Sequence, residues 1–280
     1  MRSSASSQPL TADAVRSALT TRVLGRSLYL FDETPSTNSA AATFAHDGAP
    51  HGTLVVAERQ TAGRGRLGRQ WYSTAAGNLY CSVLLRELPM ANRVSWIPLI
   101  AAVASASAVE QVTGLRTSLK WPNDIQVADR KIGGILCEST GLGTSSAVLI
   151  VGIGLNVNAN RAELPDEIRP FASTMATEAG RSFRRADLIG RVLAEFELRY
   201  EKLLSADSPL TLDEYRARCT TLGQFVRAEL GQGHWVQGRA AAITDDGALE
   251  LMPDDRATTS PIYVRAGDVA HLRPAENTRP

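Results

Sequence analysis

Apolar positions change their spacing several times along the chain, and each change predicts an element. The runs SLYLF, GTLVVAE and GNLYCSVLL, all before residue 86, are short, nearly continuous and bounded by turn residues, as buried strands are. Between the first two lies DETPSTN, then STNSAAATFA with helical spacing and Ser36 or Thr37 at the cap. Residues 94–112 are apolar on every side and closed by Gly114, which predicts a helix. Strands follow around residues 117–120, 124–128 and 134–138, with a hairpin at Asp129-Arg130, and AVLIVGIGLNVN reads as a buried strand ending in an Asn-rich turn. Residues 182–204 and 213–221 are predicted helical. Beyond Gly223 the pattern becomes FVRAEL, HWVQGRAAAI, ALELM, PIYVRA and DVAHLR, five short strands that predict a small barrel.

Loose alternation of strands and helices followed by short strands alone makes the fold class α+β, with a second, all-β unit. The expected boundaries are a flexible tail over 1–24 with one short helix near 12–19, a main domain over 25–221, a barrel over 222–275 and a disordered end over 276–280. At 280 residues the chain can bury a substantial core.

Charge changes the picture only locally. Thirty Lys+Arg against 29 Asp+Glu leave a net charge of +1, which argues against bulk attraction to DNA or a membrane surface, so a polyanion site must be local. Lys120, Lys131 and Lys202 are the lysines, and the other 27 cations are arginine, so two of the three amines fall within twelve residues. Cys81, Cys137 and Cys219 are odd in number and set among apolar neighbours, which suits buried free thiols in a reducing, cytoplasmic setting. The N-terminus has no apolar core of a signal peptide, and WIPLIAAVASASAV is expected to be too short and Ser-rich for a membrane span. None of His46, His51, His234 and His271 falls in a catalytic or metal-ligand pattern, so no metal ligands are assigned.

The candidate chemistry centres on QTAGRGRLGRQW, residues 60–71. Gly63, Gly65 and Gly68 free the backbone, while Arg64, Arg66 and Arg69 offer planar forks suited to phosphate or carboxylate. A strand and not a helix follows, so this is neither the dinucleotide fingerprint nor a P-loop. KWPND at 120–124 sets a Trp, an amide and a carboxylate in a stiff bend around Pro122, although an ordinary strand end with Asx-turn residues has the same look. Lys131 in RKIGGIL is alone no more than a hairpin charge, GIGLNVN alone a sandwich strand, and ETPSTNS alone a helix cap. Arg, Lys, Asn, Asp and glycine backbone together suit nucleotidyl chemistry driven by positioning and charge.

In this order, STN, QTAGRGRLGRQW, KWPND, KIGGIL and GIGLNVN, the motifs resemble bacterial biotin protein ligases, also called biotin–[acetyl-CoA-carboxylase] ligases. The resemblance runs from about Ser27 to the C-terminus. It is to the short, monofunctional type, because the segment before the motifs is too short for a winged-helix DNA-binding domain. It implies a mixed-sheet, class II synthetase-like biotin/lipoate ligase fold with helices packed on it, followed by an SH3-like barrel. It also implies ATP-dependent formation of biotinyl-5′-AMP with Mg²⁺, then transfer of biotin to a lysine of a biotin carboxyl carrier protein. By carry-over, Ser36, Thr37, Asn38, Gln60, Gly63, Arg64, Gly65, Arg66, Trp71, Lys131 and Gly134 bind biotin, and Arg64, Arg66, Arg69, Asn123, Lys131 and Asn156 bind ATP or the adenylate. Lys131 and Arg64 are then catalytic, and Asp124 is our candidate to orient or deprotonate the acceptor amine. Leu67 stands where several relatives carry a basic residue. Two alternatives stay open: a lipoate or octanoate ligase or transferase of the same fold, and a biotin-responsive binding protein without turnover. Oligomeric state is not legible.

Overall fold

The computed structural model describes residues 9–73, 77–142, 144, 146–205, 212–230, 234–253, 260–265 and 271–274. A seven-stranded mixed sheet runs in the order β1 (Leu28–Thr34), β2 (Leu54–Gln60), β3 (Leu79–Leu85), β7 (Val148–Leu155), β6 (Arg130–Thr140), β5 (Asp124–Val127), β4 (Ser118–Lys120). Only β1 and β2 are parallel, and helix α2 (Thr37–His46) supplies the crossover a parallel pair requires. The turn between β5 and β6 places Ala128 and Asp129 at φ 47 and 60, the paired left-handed geometry that matches hairpin twist.

The central strands read as unbroken apolar runs because both faces are covered. On one face Leu79, Cys81, Val83 and Leu85 meet Leu149, Val151, Ile153 and Leu155 in the large core beneath α3 (Trp96–Thr113) and α5 (Arg185–Leu204). On the other, Val55, Leu84, Val148 and Ile150 form a small core under α2 with Phe31 and Phe44. Further along that second face the pattern gives way to Ser82, Gly152 and Gly154. One half of the face is therefore core, and the other half is open for a ligand.

Three expectations need correction. Residues 9–24 are not a loose tail: α1 (Ala12–Ala18) is capped by Thr11, and Val15, Leu19 and Leu24 enter the large core. The polar composition hid this because the segment is held by carboxylates. Glu197 of α5 accepts the backbone N–H groups of Arg22, Val23 and Leu24 at 2.7, 2.8 and 2.8 Å, and Glu58, ion-paired with buried Arg185, accepts that of Leu10. Residues 1–8 lie outside the described residues, as does the end expected to be disordered. The apolar stretch judged too short for a span is in fact long enough by length and composition, over Ala91–Thr113, but 72% of that window is buried inside the protein. A helix apolar all round is then the core helix. Finally, the helix expected over 213–221 stops as α6 (Asp213–Arg218), because Cys219 pairs with Leu119 of β4 and the Thr220 N–H donates to the Leu119 carbonyl.

The five strands β8 (Phe225–Glu229), β9 (Trp235–Ile243), β10 (Leu249–Met252), β11 (Ile262–Val264) and β12 (His271–Pro274) make the separate antiparallel sheet of an SH3-like domain, in the order β11-β10-β9-β8-β12. Short helix α4 (Met175–Ala179), capped by Thr174, lies between β7 and α5 in the chain.

Candidate active site

A cavity of about 930 Å³ opens on the half-core face of the large sheet. One end is a chain of polar side chains. Gln60 Oε1 accepts from the Thr37 N–H (2.8 Å) and hydroxyl (3.1 Å), and Ser82 Oγ lies 2.8 Å from Thr37 Oγ1 while donating to Asn38 Oδ1 at 2.6 Å. Asn38 Nδ2 donates to Glu138 at 2.7 Å, and Glu138 takes both a bidentate contact from Arg64 (2.9 and 2.7 Å) and, through Arg64, a link to Ser39. Ser36, Thr37 and Asn38 are buried at the start of α2 and line the cavity.

Two glycines make this end possible. A Cβ on Gly152 would stand 2.3 Å from Asn38 Oδ1, and one on Gly154 would stand 2.8 Å from the Trp71 ring. With no side chains there, Asn38 and Trp71 lie directly on the sheet. The Trp71 ring also faces Gly134, and its buried indole N–H has no acceptor among the described residues.

At the other end Lys131 Nζ lies 2.5 Å from Asp124 Oδ1 and 5.4 Å from the centroid of the Trp71 ring. The β5–β6 hairpin brings the two together, and a backbone bond from the Lys131 N–H to the Phe171 carbonyl (2.8 Å) ties β6 to the loop after β7. Asn123 is fixed to β6 by Nδ2 to the Ile135 carbonyl (2.9 Å). Burial lowers the Arg66 guanidinium from its ordinary value, with Asp124 opposing, so a strongly basic group stands beside the Lys131–Asp124 pair in a poorly hydrated place. Burial in the large core behind the cavity pushes the Cys81 thiol up to about 12, which keeps it protonated and unreactive.

The Gly/Arg loop folds back on itself. The Trp71 N–H donates to the Gly63 carbonyl (2.9 Å), the Gly65 N–H to the Arg69 carbonyl (2.6 Å), and a single 3-10 turn, Arg66–Gly68, forms the tip. Only Gly68 of the three glycines takes positive φ (75), and Leu67, at φ 53 and more than half exposed, shares the left-handed tip. Gly63 answers a different need: a Cβ there would meet the Trp71 carbonyl at 2.6 Å.

A model of the biotin/lipoate A/B protein ligase family matches residues 30–157. The chain is 36% identical over 253 residues to the biotin–[acetyl-CoA-carboxylase] ligase of Mycobacterium tuberculosis, covering 89% of this chain and 90% of that protein. It belongs to the biotin protein ligase family. It is also 36% identical over 244 residues to the bifunctional ligase/repressor BirA of Bacillus subtilis, covering 86% of this chain and 74% of that one. The solved biotin protein ligase of Aquifex aeolicus in complex with biotin and ATP superimposes with a TM-score of 0.70 at 28% identity, covering 89% of this chain and all of that one.

As a biotin protein ligase fold, the chain gathers most of the residues singled out from its sequence into one cavity: Ser36, Thr37, Asn38 and Gln60 at one end, Arg64, Gly65, Arg66, Arg69 and Trp71 along the loop, and Asn123, Asp124, Lys131 and Gly134 opposite. Gly63 and Asn156 are not among the lining residues. Asn156 is buried behind the wall, its Nδ2 donating to the Ser173 carbonyl at 3.0 Å, while its N–H donates to the Ile132 carbonyl of β6 and its carbonyl accepts from Met175 at the start of α4. Sequence reasoning missed Ser82 and Glu138. A lone Ser inside LYCSVLL, at the same parity as Tyr80, was the available signal for the first; nothing in the sequence marked Glu138 as a partner of Asn38 and Arg64.

Proposed function

We propose that the protein activates biotin with ATP as biotinyl-5′-AMP and transfers it to a lysine of a biotin carboxyl carrier protein. The observation that carries the reading is one cavity with a neutral hydrogen-bonding end at Thr37, Asn38 and Gln60, an aromatic wall at Trp71, and the Lys131–Asp124 pair beyond it. That order fits a ligand with a polar ring, an apolar chain and a carboxylate. The ureido group exchanges hydrogen bonds with the first end, the valeryl chain lies along Trp71, and the carboxylate meets Lys131.

In the first step a biotin carboxylate oxygen attacks the α-phosphorus, and its bond to the β-phosphate oxygen breaks to release pyrophosphate. Lys131, a compact cation held in place by Asp124, offsets charge on the carboxylate and on the α-phosphate oxygens, with Arg66 and Arg69 beside it for the remaining phosphates. In the second step the acceptor nitrogen attacks the acyl carbon, AMP leaves, and Asp124 takes the amine's proton. Asp124 is the one carboxylate among the described residues of the wall, and Mg²⁺ would be held there by nucleotide phosphate oxygens with this carboxylate, and would neutralise phosphate charge.

Of the two roles expected of Arg64, its contacts with Glu138 and Ser39 support the one at biotin over the one at phosphate. There it braces Asn38 through Glu138.

The test is pyrophosphate release with biotin and ATP, with lipoate replacing biotin as the second arm, followed by labelling of a carrier-domain lysine. Release with biotin and not with lipoate is expected, and release that needs no biotin would refute the proposal. Lys131→Ala is expected to keep its fold by circular dichroism and lose about 10²–10³-fold in adenylate formation; unchanged single-turnover kinetics would remove Lys131 from the mechanism.

A further inference from the structure

The bend KWPND is held from behind by the second domain. Trp121 is 1% exposed, and its indole N–H donates to the Gly247 carbonyl at 3.2 Å, across the boundary between the two sheets. Gly247 belongs to the turn between β9 and β10, whose other carbonyls are taken in the same way. Ser95 Oγ donates to Asp246 O at 2.8 Å and Trp96 Nε1 to Asp245 O at 2.6 Å, both from the start of α3. From α6, Arg216 donates Nε to Ile243 O (2.9 Å) and reaches the Asp245 carboxylate at 2.8 Å.

The turn is built to hold these carbonyls outward. The Gly247 N–H donates to the Thr244 carbonyl, the Thr244 N–H to that of Ala248, and Gly247 has φ +80, a conformation L side chains rarely adopt. Three carbonyls of one short turn, and that of Ile243 at the end of β9, therefore face four donors of the large domain and its linking helix. Each desolvated carbonyl and donor is paired, as a buried polar group must be to avoid a loss, so the contact has one preferred geometry.

The other side of Trp121 is the cavity. Its main-chain neighbours Lys120, Pro122, Asn123 and Asp124 line the wall, and Asp124 in turn holds Lys131 at 2.5 Å. The Trp121 N–H is bonded to Thr221 Oγ1 at 3.0 Å, so ring and backbone are both fixed by residues C-terminal to α6. We infer that the β9–β10 turn, acting through Trp121, positions Asn123 and the Asp124–Lys131 pair for reaction at the biotin carboxylate. Trp121 and Arg216 are thus positioning residues. The polar end at Thr37, Asn38 and Gln60 is carried on α2 and β2 and braced by Ser82 of β3 and Glu138 of β6, and its hydrogen bonds described above involve neither Trp121 nor the β9–β10 turn.

This inference rests on the ligase reading, and the experiment separates the two. In the full-length protein, Trp121→Phe removes the indole N–H and keeps an aromatic ring, and Arg216→Gln releases the turn from α6 at a partly exposed site. Both variants are expected to unfold in a single transition and to lose less in biotin affinity, by calorimetry, than in rate, because the polar end is untouched while the carboxylate end is shifted. Single-turnover pyrophosphate release is expected to fall about tenfold or more for Trp121→Phe, and less for Arg216→Gln, as small misplacements of a reacting pair are costly. Wild-type rates in both variants would overturn the inference, as would biotin affinity falling in step with the rate, which marks general loosening. A wild-type protein that releases no pyrophosphate with biotin and ATP would instead refute the ligase proposal, and this inference with it.

Discussion

Single atoms decide the shape of the cavity. Gly152 sits on a central strand whose backbone is bonded on both sides, so it cannot retreat from an added methyl group. Gly152→Ala is expected to displace the Asn38 amide and weaken biotin binding about tenfold to a hundredfold, the effect of losing one or two buried hydrogen bonds, as measured by calorimetry. His51 makes a pH prediction. Its ring stacks on Tyr200, its Nδ1 accepts the Arg86 N–H at 3.1 Å, and burial lowers its pKa, with Glu87 and Glu197 opposing. A histidine held neutral binds its proton more readily in the unfolded chain, so its stabilisation is complete above the unfolded value of about 6.5 and is lost as pH falls below it. The melting temperature is therefore expected to decline between about pH 6.5 and 5, and His51→Asn should remove part of that decline; an identical slope in the variant would refute it.

At the scale of elements, α5 does two jobs. Its apolar stripe, with Leu188, Val192, Leu193 and Phe196, fills the large core, while Glu197 on the same helix takes three consecutive backbone N–H groups of the N-terminal segment. Glu197→Ala leaves those donors without their acceptor and is expected to cost about 2–4 kcal/mol in chemical denaturation. It should also expose residues 9–24 to proteolysis. Resistance equal to wild type would show that Val15, Leu19 and Leu24 hold the segment by packing alone. The Gly/Arg loop shows the opposite balance: it is fastened by a few backbone bonds and by Arg64 to Glu138, so a ligand beneath Trp71 has little to displace. Such a loop suits a lid that keeps water from a reactive acyl phosphate.

At the scale of the molecule, ligand binding and stability are linked. Biotin at about a hundred times its dissociation constant adds about 2.7 kcal/mol to the folded state. For a chain of this size that is a rise of several degrees in melting temperature. Biotin with ATP should raise it further, since in the proposed binding mode the adenylate spans both ends of the cavity, and lipoate with ATP should leave it near the unliganded value. A rise of equal size with lipoate would point to the related acyl-lysine chemistry instead.

The sequence by itself determined the elements and the order of the motifs. Both follow from local rules: strand and helix periods, the cap at the start of α2, and the short alternating runs of the second sheet. It also marked the Gly/Arg loop, because glycine and arginine at such density have few structural uses, while the other cavity residues followed from the resemblance carried by the ordered motifs. Tertiary structure decided what depends on partners far apart in the chain. Residues 9–24 became a packed strap because Glu197, 173 residues from Leu24, supplies hydrogen bonds to it. Arg64 went to Glu138, 74 residues away, and Ser82 joined Thr37 and Asn38 across 45 and 44 residues. Trp121 was bound to a turn in another sheet, 126 residues on. A local pattern carries the preference of each residue for a kind of environment, but the identity of a hydrogen-bond partner exists only once the chain has folded back on itself.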